Sequence, residues 1–366
     1  MKFFDTLRTV KPPIFFFKRL TSIQLFQVYY QMAQQPGQSL KFDRIPSDTI
    51  SDIATNSNPN NQLLCCTSWD NSITIWKLNG AQNALPTPQY LATVKPEKTN
   101  DAMLCCTFKG DDILVGTASG KILQLKYGEP TVSNVGSHLG IVSGVRWCPN
   151  QNLLMSGSSY DFKLNFWDLR DTTKPASSVD LQGKCRCLDA TNDKAFIVTS
   201  ENKVYQYDLK LADKKLKSYS LKIKCPITSI AITPDGNGYV VGGQNGIIEA
   251  NVNGTGGDLK TCHRDNNGVY SSNCIAISGF STKNIIISGG GNGSLEYFSL
   301  DTLAHTSTRP KLTQNGDPVT ACAFLPKQKS YVVATGNDWS HGAQGSNGAP
   351  SPEMQVRMLN GKETVG

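Results

Sequence analysis

Seven short polar turns recur along this chain, centred on Asp70, Ser119, Asp161, Glu201, Asn245, Asn292 and Asp338. Successive centres lie 40 to 49 residues apart. An interval of that size marks a stacked or radial repeat, in which each unit is one supersecondary element. A radial repeat builds a rigid disc whose faces bind other molecules. The 366-residue length alone suggests about two domains. The repeat overrides that prior, because a closed ring of units is one domain.

Apolar runs flank the turns. Leu63-Leu64-Cys65-Cys66, Leu153-Leu154-Met155 and Ile285-Ile286-Ile287 precede three of them, and similar runs precede the rest. Alternating segments such as Ile73-Thr74-Ile75-Trp76 and Leu164-Asn165-Phe166-Trp167 follow six. Period-2 runs rich in β-branched and aromatic residues read as strands. The turn's second residue is Asn71, Gly120, Asn202, Gly246 or Gly293 in five cases, and these types accept positive φ. Each unit therefore holds a hairpin. A further strand is expected before each hairpin, over 50–54, 103–108, 142–148, 185–190, 227–232, 274–277 and 319–324. A fourth, more polar strand follows, as at 91–94 and 176–181. Four short antiparallel strands per unit make a propeller blade, and closing the ring removes exposed sheet edges.

The third repeat carries His138, Ser156, Asp161 and Trp167. This set is similar to the buried chain of WD40 blades, in which Asp accepts from imidazole and imidazole, hydroxyl and indole follow in line. Such a chain is tolerable only if every member is satisfied. Asp70, His263 and Asp338 occupy related positions and are read as structural. The expectation is an all-β, seven-bladed WD40 β-propeller over residues 45–361. An irregular extension precedes it over 1–44, and a short tail follows over 362–366.

Composition sets further bounds. The net charge of +7 leans toward acidic partners. Of the eleven cysteines, Cys65, Cys66, Cys105, Cys106, Cys274 and Cys322 sit inside apolar strands, and no Cys-x-x-Cys pair occurs. Buried reduced thiols in a reducing compartment are the expectation, not zinc or disulfides. The Asn253 and Asn292 sequons are then only turns. Residues 1–35 are aromatic, basic and acid-poor, without a membrane-length apolar run. They read as a leader, with a transit peptide or translation from Met32 as alternatives.

No catalytic set is legible. The four histidines, His138, His263, His305 and His341, form no paired metal motif or nucleophile triad, and no phosphate loop occurs. Gly289-Gly290-Gly291-Asn292-Gly293 precedes a strand, so it lacks the helix N-terminus of a phosphate cradle and reads as the sixth hairpin. No cofactor or metal is expected. One charge run, Lys210, Lys214, Lys215 and Lys217 with Lys222 and Lys224 beyond, reads as the link from fourth to fifth blade. It is either a solvated loop or a phosphate-contacting RNA patch with salt-dependent affinity, near the stacking candidate Tyr219; Tyr205 and Tyr207 lie close by too but read first as packing within a blade.

Four segments carry a family resemblance: Ser68-Trp69-Asp70, Leu164-Asn165-Phe166-Trp167-Asp168-Leu169-Arg170, Cys262-His263-Arg264 and Asn337-Asp338-Trp339-Ser340-His341-Gly342. Together they resemble the nuclear-pore mRNA export factor family of WD40 propellers. Cys-His-Arg is shared with a sister family, the spindle-checkpoint propellers. The Trp339 run and the interruption from Trp339 to Pro352 resemble the export factors. The resemblance implies a non-enzymatic adaptor at the nuclear pore, shuttling to the cytoplasm. Such adaptors dock a nucleoporin through an acidic-tipped GLEBS hairpin on the propeller's top face and bind single-stranded RNA. It also implies Trp69, Tyr160, Arg264, Trp339 and His341 as peptide-contacting residues. One position departs from the pattern: Ile247 follows Gly246 where the family carries an arginine, and isoleucine cannot make that charge-assisted bond. A spindle-checkpoint adaptor binding kinase-like partners is the alternative. A propeller enzyme and a ubiquitin-ligase receptor using Trp167-Asp168-Leu169-Arg170 are minor ones.

Overall fold

A computed structural model of the chain describes residues 39–80, 84–96, 101–210, 217–252, 257–279, 283–309, 311–326, 328–340 and 351–364. Seven four-stranded antiparallel sheets follow one another along the chain. Their inner strands are Ile50–Thr55, Met103–Lys109, Val142–Cys148, Cys185–Ala190, Ile227–Ile232, Ser272–Ile277 and Val319–Phe324. Each inner strand packs against the next, and the last packs against the first, so the ring closes. Beyond them lie the hairpins read from the sequence; in blade three these are Leu153–Ser158 and Lys163–Trp167. The structure is therefore a seven-bladed β-propeller.

Apolar residues at successive strand positions form the interblade core. Leu63, Ile73, Met103, Ile113 and Val115, for example, bury one another between blades one and two. Each fully buried aliphatic side chain contributes on the order of 2 kcal/mol. Every inner strand also carries a register shift at its second residue. The bulged residue is freed from its own ladder. In three blades it clasps the next blade: Ser51 Oγ donates to Met103 O at 2.5 Å, Asn273 Nδ2 donates to Val319 O at 3.1 Å, and Thr228 Oγ1 donates to Ser272 O.

The ring is closed by the two ends of the described chain. The outer strand of blade seven is Ser39–Lys41, paired antiparallel with Glu353–Met358. Propeller pairing thus begins before residue 45, inside the stretch assigned to the extension. At the other end a single helical turn, Gly361–Thr364, reaches past residue 361 and buries Glu363. Residues 1–38 of the expected extension, which include the whole of the 1–35 leader, and the Asn253 sequon lie outside the described residues.

The lysine run requires a correction. Lys210 follows the third strand of blade four and Lys217 opens its outer strand, Lys217–Ser220. The run therefore connects two strands within blade four. The link to blade five is 221–226, where Lys222 and Lys224 lie.

Candidate functional site

Each polar turn hydrogen-bonds to the connection entering its own blade. Trp69 N donates to Thr49 O, Ser159 N to Ile141 O, Ser200 N to Lys184 O, Gln244 N to Pro226 O, and Gly291 N to Ser271 O. Turns and connections therefore share one face of the disc, here called the upper face. Trp69, Tyr160 and Trp339 stand exposed on it, and Trp69 and Trp339 are 48% and 44% accessible. Arg264 is exposed there too. His341, Lys214 and Lys215 lie outside the described residues.

Arg264 is carried by an element that the sequence did not reveal. Arg264–Asp265 and Gly268–Val269 pair as a small hairpin between blades five and six. Its base is fixed by His263, which is buried with φ at +51°. The ring nitrogens lie 2.9 Å from Ser294 Oγ and 2.7 Å from Ser288 Oγ, and the His263 backbone N–H donates to Glu296 Oε1 at 2.5 Å. Burial pushes the His263 imidazole down to about 4, against the pull of its Asn292 hydrogen bond. The same burial raises the Glu296 carboxyl, although the His263 N–H and the nearby His305 oppose it. A Cβ on Gly246 would stand 3.0 Å from Val269 Cγ1 and 2.8 Å from Tyr270 O, so the Gly246–Ile247 turn abuts this hairpin. Arg264 sits opposite Val269 in it.

Blade three holds the full polar chain expected of it. His138 Nδ1 donates to Asp161 Oδ2 at 2.9 Å, His138 Nε2 accepts from Ser156 Oγ at 2.7 Å, and Trp167 Nε1 donates to Ser156 Oγ at 2.8 Å. Burial favours neutral His138 and holds its pKa below the usual value, against the pull of Asp161. Burial alone would raise the Asp161 carboxyl. The facing His138 ring and the Leu139 and Lys163 N–H groups outweigh that and hold it below its ordinary range. Blade one does without histidine: Asp70 accepts from Ser47 N and Ser47 Oγ, both at 2.9 Å, and from Ser72 Oγ. Asp338 ties two blades, accepting from Asn273 Nδ2 at 3.1 Å.

Phe162 is absent from the sequence-derived set. It occupies the second turn position of blade three, with φ at +58°, and is exposed. Trp339 holds the same position in blade seven, with φ at +59°. The signal was present in the sequence as two aromatic residues where five other turns carry Asn or Gly.

The described lysines at the ends of the blade-four run sit on the other side of the disc. Lys210 Nζ lies 2.9 Å from Asp193, in the connection between the first two strands of that blade. Lys217 is exposed at the lower end of the outer strand. The structure thus brings Trp69, Tyr160, Arg264 and Trp339 to one face and leaves the described lysines of the run apart from them. Among the described residues no cluster of three or more His, Cys, Asp or Glu side chains could hold a metal ion, and no helix is long and apolar enough to cross a membrane.

Comparison with known proteins agrees with this architecture. The WD domain, G-beta repeat model matches residues 38–77 and 130–168. The chain is 24% identical to protein Rae1 of Drosophila melanogaster over 85% of this chain and 91% of that protein. It is 24% identical to the poly(A)+ RNA export protein of Schizosaccharomyces pombe over 87% of this chain and 92% of that one. The mitotic checkpoint protein BUB3.3 of Arabidopsis thaliana is also 24% identical, over 67% of this chain and 76% of that protein. The chain is a seven-bladed β-propeller with two matches to the WD domain, G-beta repeat model, similar along most of its length to mRNA export factors and over two thirds of it to a mitotic checkpoint protein.

Proposed function

We propose that this protein is a non-enzymatic adaptor of nuclear mRNA export, acting at the nuclear pore. It docks a nucleoporin's GLEBS-type hairpin on its upper face and binds single-stranded RNA. The observation that carries this reading is similarity to mRNA export factors over most of the chain. The exposed Trp69, Tyr160 and Trp339 on the face that also bears Arg264 support it. A disc face of this kind receives an extended peptide through side-chain pockets and added backbone hydrogen bonds. Ile247 offers no charge to an acidic tip. Arg264, on the hairpin abutting that turn, is the group positioned to take its place.

The test is capture of a synthetic GLEBS-type hairpin by the purified chain, with sub-micromolar affinity expected. Arg264→Ala should weaken capture by about tenfold, the loss of one charge-assisted bond. Failure to capture the hairpin overturns the reading. The checkpoint relative supports a second reading, an adaptor for kinase-like partners. A nuclear pull-down that yields checkpoint kinases and no nucleoporin would favour that one.

RNA binding is proposed for the lysine run, and the ion pair of Lys210 with Asp193 limits what Lys210 contributes. Replacing Lys214, Lys215 and Lys217 together with Ala should weaken oligonucleotide binding and flatten its salt dependence. Unchanged affinity would leave the run as a solvated loop.

A further inference from the structure

Blade three exposes four large apolar side chains on two loops that touch. Leu139 is 81% accessible, Tyr160 66%, Ile141 45% and Phe162 43%. Leu139 and Ile141 lie in the connection entering the blade, and Tyr160 and Phe162 flank Asp161 in its turn. The loops are fastened together. Leu139 N donates to Asp161 Oδ2 at 3.2 Å, Ser159 N to Ile141 O at 3.1 Å, and Ser158 Oγ to Gly140 O at 3.3 Å. A Cβ on Gly140 would stand 2.7 Å from Tyr160 Cβ, so the missing side chain lets Tyr160 lie against the loop. Beneath both loops runs the completed chain from Asp161 to Trp167. The patch is therefore presented on a rigid base.

Packing within the propeller does not account for it. Phe162 holds a left-handed backbone conformation that costs a side-chain-bearing residue roughly 1–2 kcal/mol. Its ring remains exposed, so burial does not offset that strain. Strain kept at an exposed aromatic, beside three more exposed apolar groups, marks a contact surface.

The rim sets the chemistry of the occupant. Lys121 and Lys163 open the third strands of blades two and three. Lys184 and Arg186 are exposed where the chain enters blade four. Of the nearby acids, Asp161 is engaged by His138, Asp180 offsets Lys163 at 3.0 Å, and the exposed Glu201 lies beside Lys184, so Lys121 and Arg186 leave the rim with a net positive charge. Tyr160 and Phe162 offer rings to a nucleobase or an apolar side chain alike, but Leu139, the most exposed of the four, and Ile141 are aliphatic and give no stacking surface, so this half of the patch suits a protein segment better than RNA.

We propose that this blade-three surface is an apolar anchor site for an extended partner segment bearing at least two large apolar side chains flanked by acidic residues. The inference rests on the upper face being the docking face, and it adds an anchor remote from Arg264, on blade three. The test is Leu139→Ser with Ile141→Ser, two exposed positions outside the polar chain, probed with the synthetic GLEBS-type hairpin and with an oligouridylate. Unchanged thermal unfolding of the variant excludes a folding defect. The expected result is that the wild type binds the hairpin and the double variant loses about tenfold or more in affinity while oligouridylate binding is kept. Equal hairpin affinity in both proteins overturns the anchor and leaves the docking reading standing. Loss of oligouridylate binding with hairpin binding intact makes this a nucleic-acid surface and also overturns it. A wild type that ignores the hairpin refutes the docking reading, and the anchor with it.

Discussion

Arg309, on the outer strand of blade six, donates from Nε to Glu363 Oε1 at 2.5 Å, and Glu363 is fully buried. Glu363 also closes a reciprocal cap: Asn360 N donates to its Oε2 at 2.8 Å, and Glu363 N donates to Asn360 Oδ1 at 3.1 Å. The last described turn is thereby latched to blade six beside Tyr297 and Tyr331, whose hydroxyls lie 2.6 Å apart. Glu363→Gln leaves the guanidinium without its counter-charge. Breaking a buried pair from one side destabilises by about 3 kcal/mol. Urea unfolding should show a lowered midpoint with unchanged slope; a variant within about 0.5 kcal/mol of wild type would make the latch incidental.

Phe162 and Trp339 are expected to behave differently from ordinary large residues on truncation. Both sit at positive φ and are exposed. Phe162→Gly and Trp339→Gly relieve backbone strain of roughly 1–2 kcal/mol, and glycine's extra unfolded-state entropy returns about half of that. Stability should stay level or rise by about 0.5–1 kcal/mol in chemical denaturation. A loss of more than about 1 kcal/mol would mean that the rings pack structurally and are not held for a partner.

Much of the blade pattern was legible because each strand is short, regular and bounded by a turn with a recognisable residue. The inner strands of blades three, four, five and seven span 142–148, 185–190, 227–232 and 319–324, as the periodicity indicated. The polar chain of blade three was legible because each member is a distinctive residue type at a fixed offset. Other features depend on contacts between distant segments. Ser39–Lys41 pairs with a strand more than 300 residues later, and a three-residue strand carries almost no periodic signal. The hairpin at Arg264 has two residues per strand, below the length at which alternation can be read. The Leu139 and Ile141 patch escaped notice because isolated apolar residues in a sequence look like core until burial is known.

His263 should make the fold acid-sensitive. Its folded pKa of about 4 lies below the ordinary 6.5. The unfolded chain therefore takes up the proton first, and the contribution is complete above pH 6.5 and lost as the pH falls toward 4. The gap of about 2.5 pH units corresponds to about 3 kcal/mol by pH 4. The Asp161 carboxyl, held below its usual range, adds a further loss at lower pH. Unfolding free energies at pH 7 and pH 4 for wild type and His263→Gln should show the stability difference between them shrinking by about that amount on acidification. A difference independent of pH would show that the imidazole is not kept neutral by burial.

Arg146, on the inner strand of blade three, lines the central channel and ties its blade to blade four. Its Nε donates to Asp189 Oδ1 at 2.8 Å, and Nη1 donates to Val145 O at 2.8 Å. Asp189 Oδ2 accepts Ile232 N from blade five, and Asp52 Oδ2 accepts Cys106 N from blade two, both at 3.0 Å. Burial raises the Asp52 carboxyl, and Arg146 is the main opposing influence. Arg146→Ala therefore leaves two carboxylates facing the channel without their cation. The expected loss is about 2 kcal/mol, below the figure for a fully buried pair because the channel admits water. Without Arg146 the Asp52 carboxyl, already raised by burial, rises further in the folded state, so protonation favours the folded variant and its deficit should narrow from pH 7 to pH 5. Asp189→Asn added to Arg146→Ala should recover part of the loss, a non-additive result that a double-mutant cycle reads directly. Strict additivity, with a deficit indifferent to pH, would mean that the guanidinium contributes only its packing.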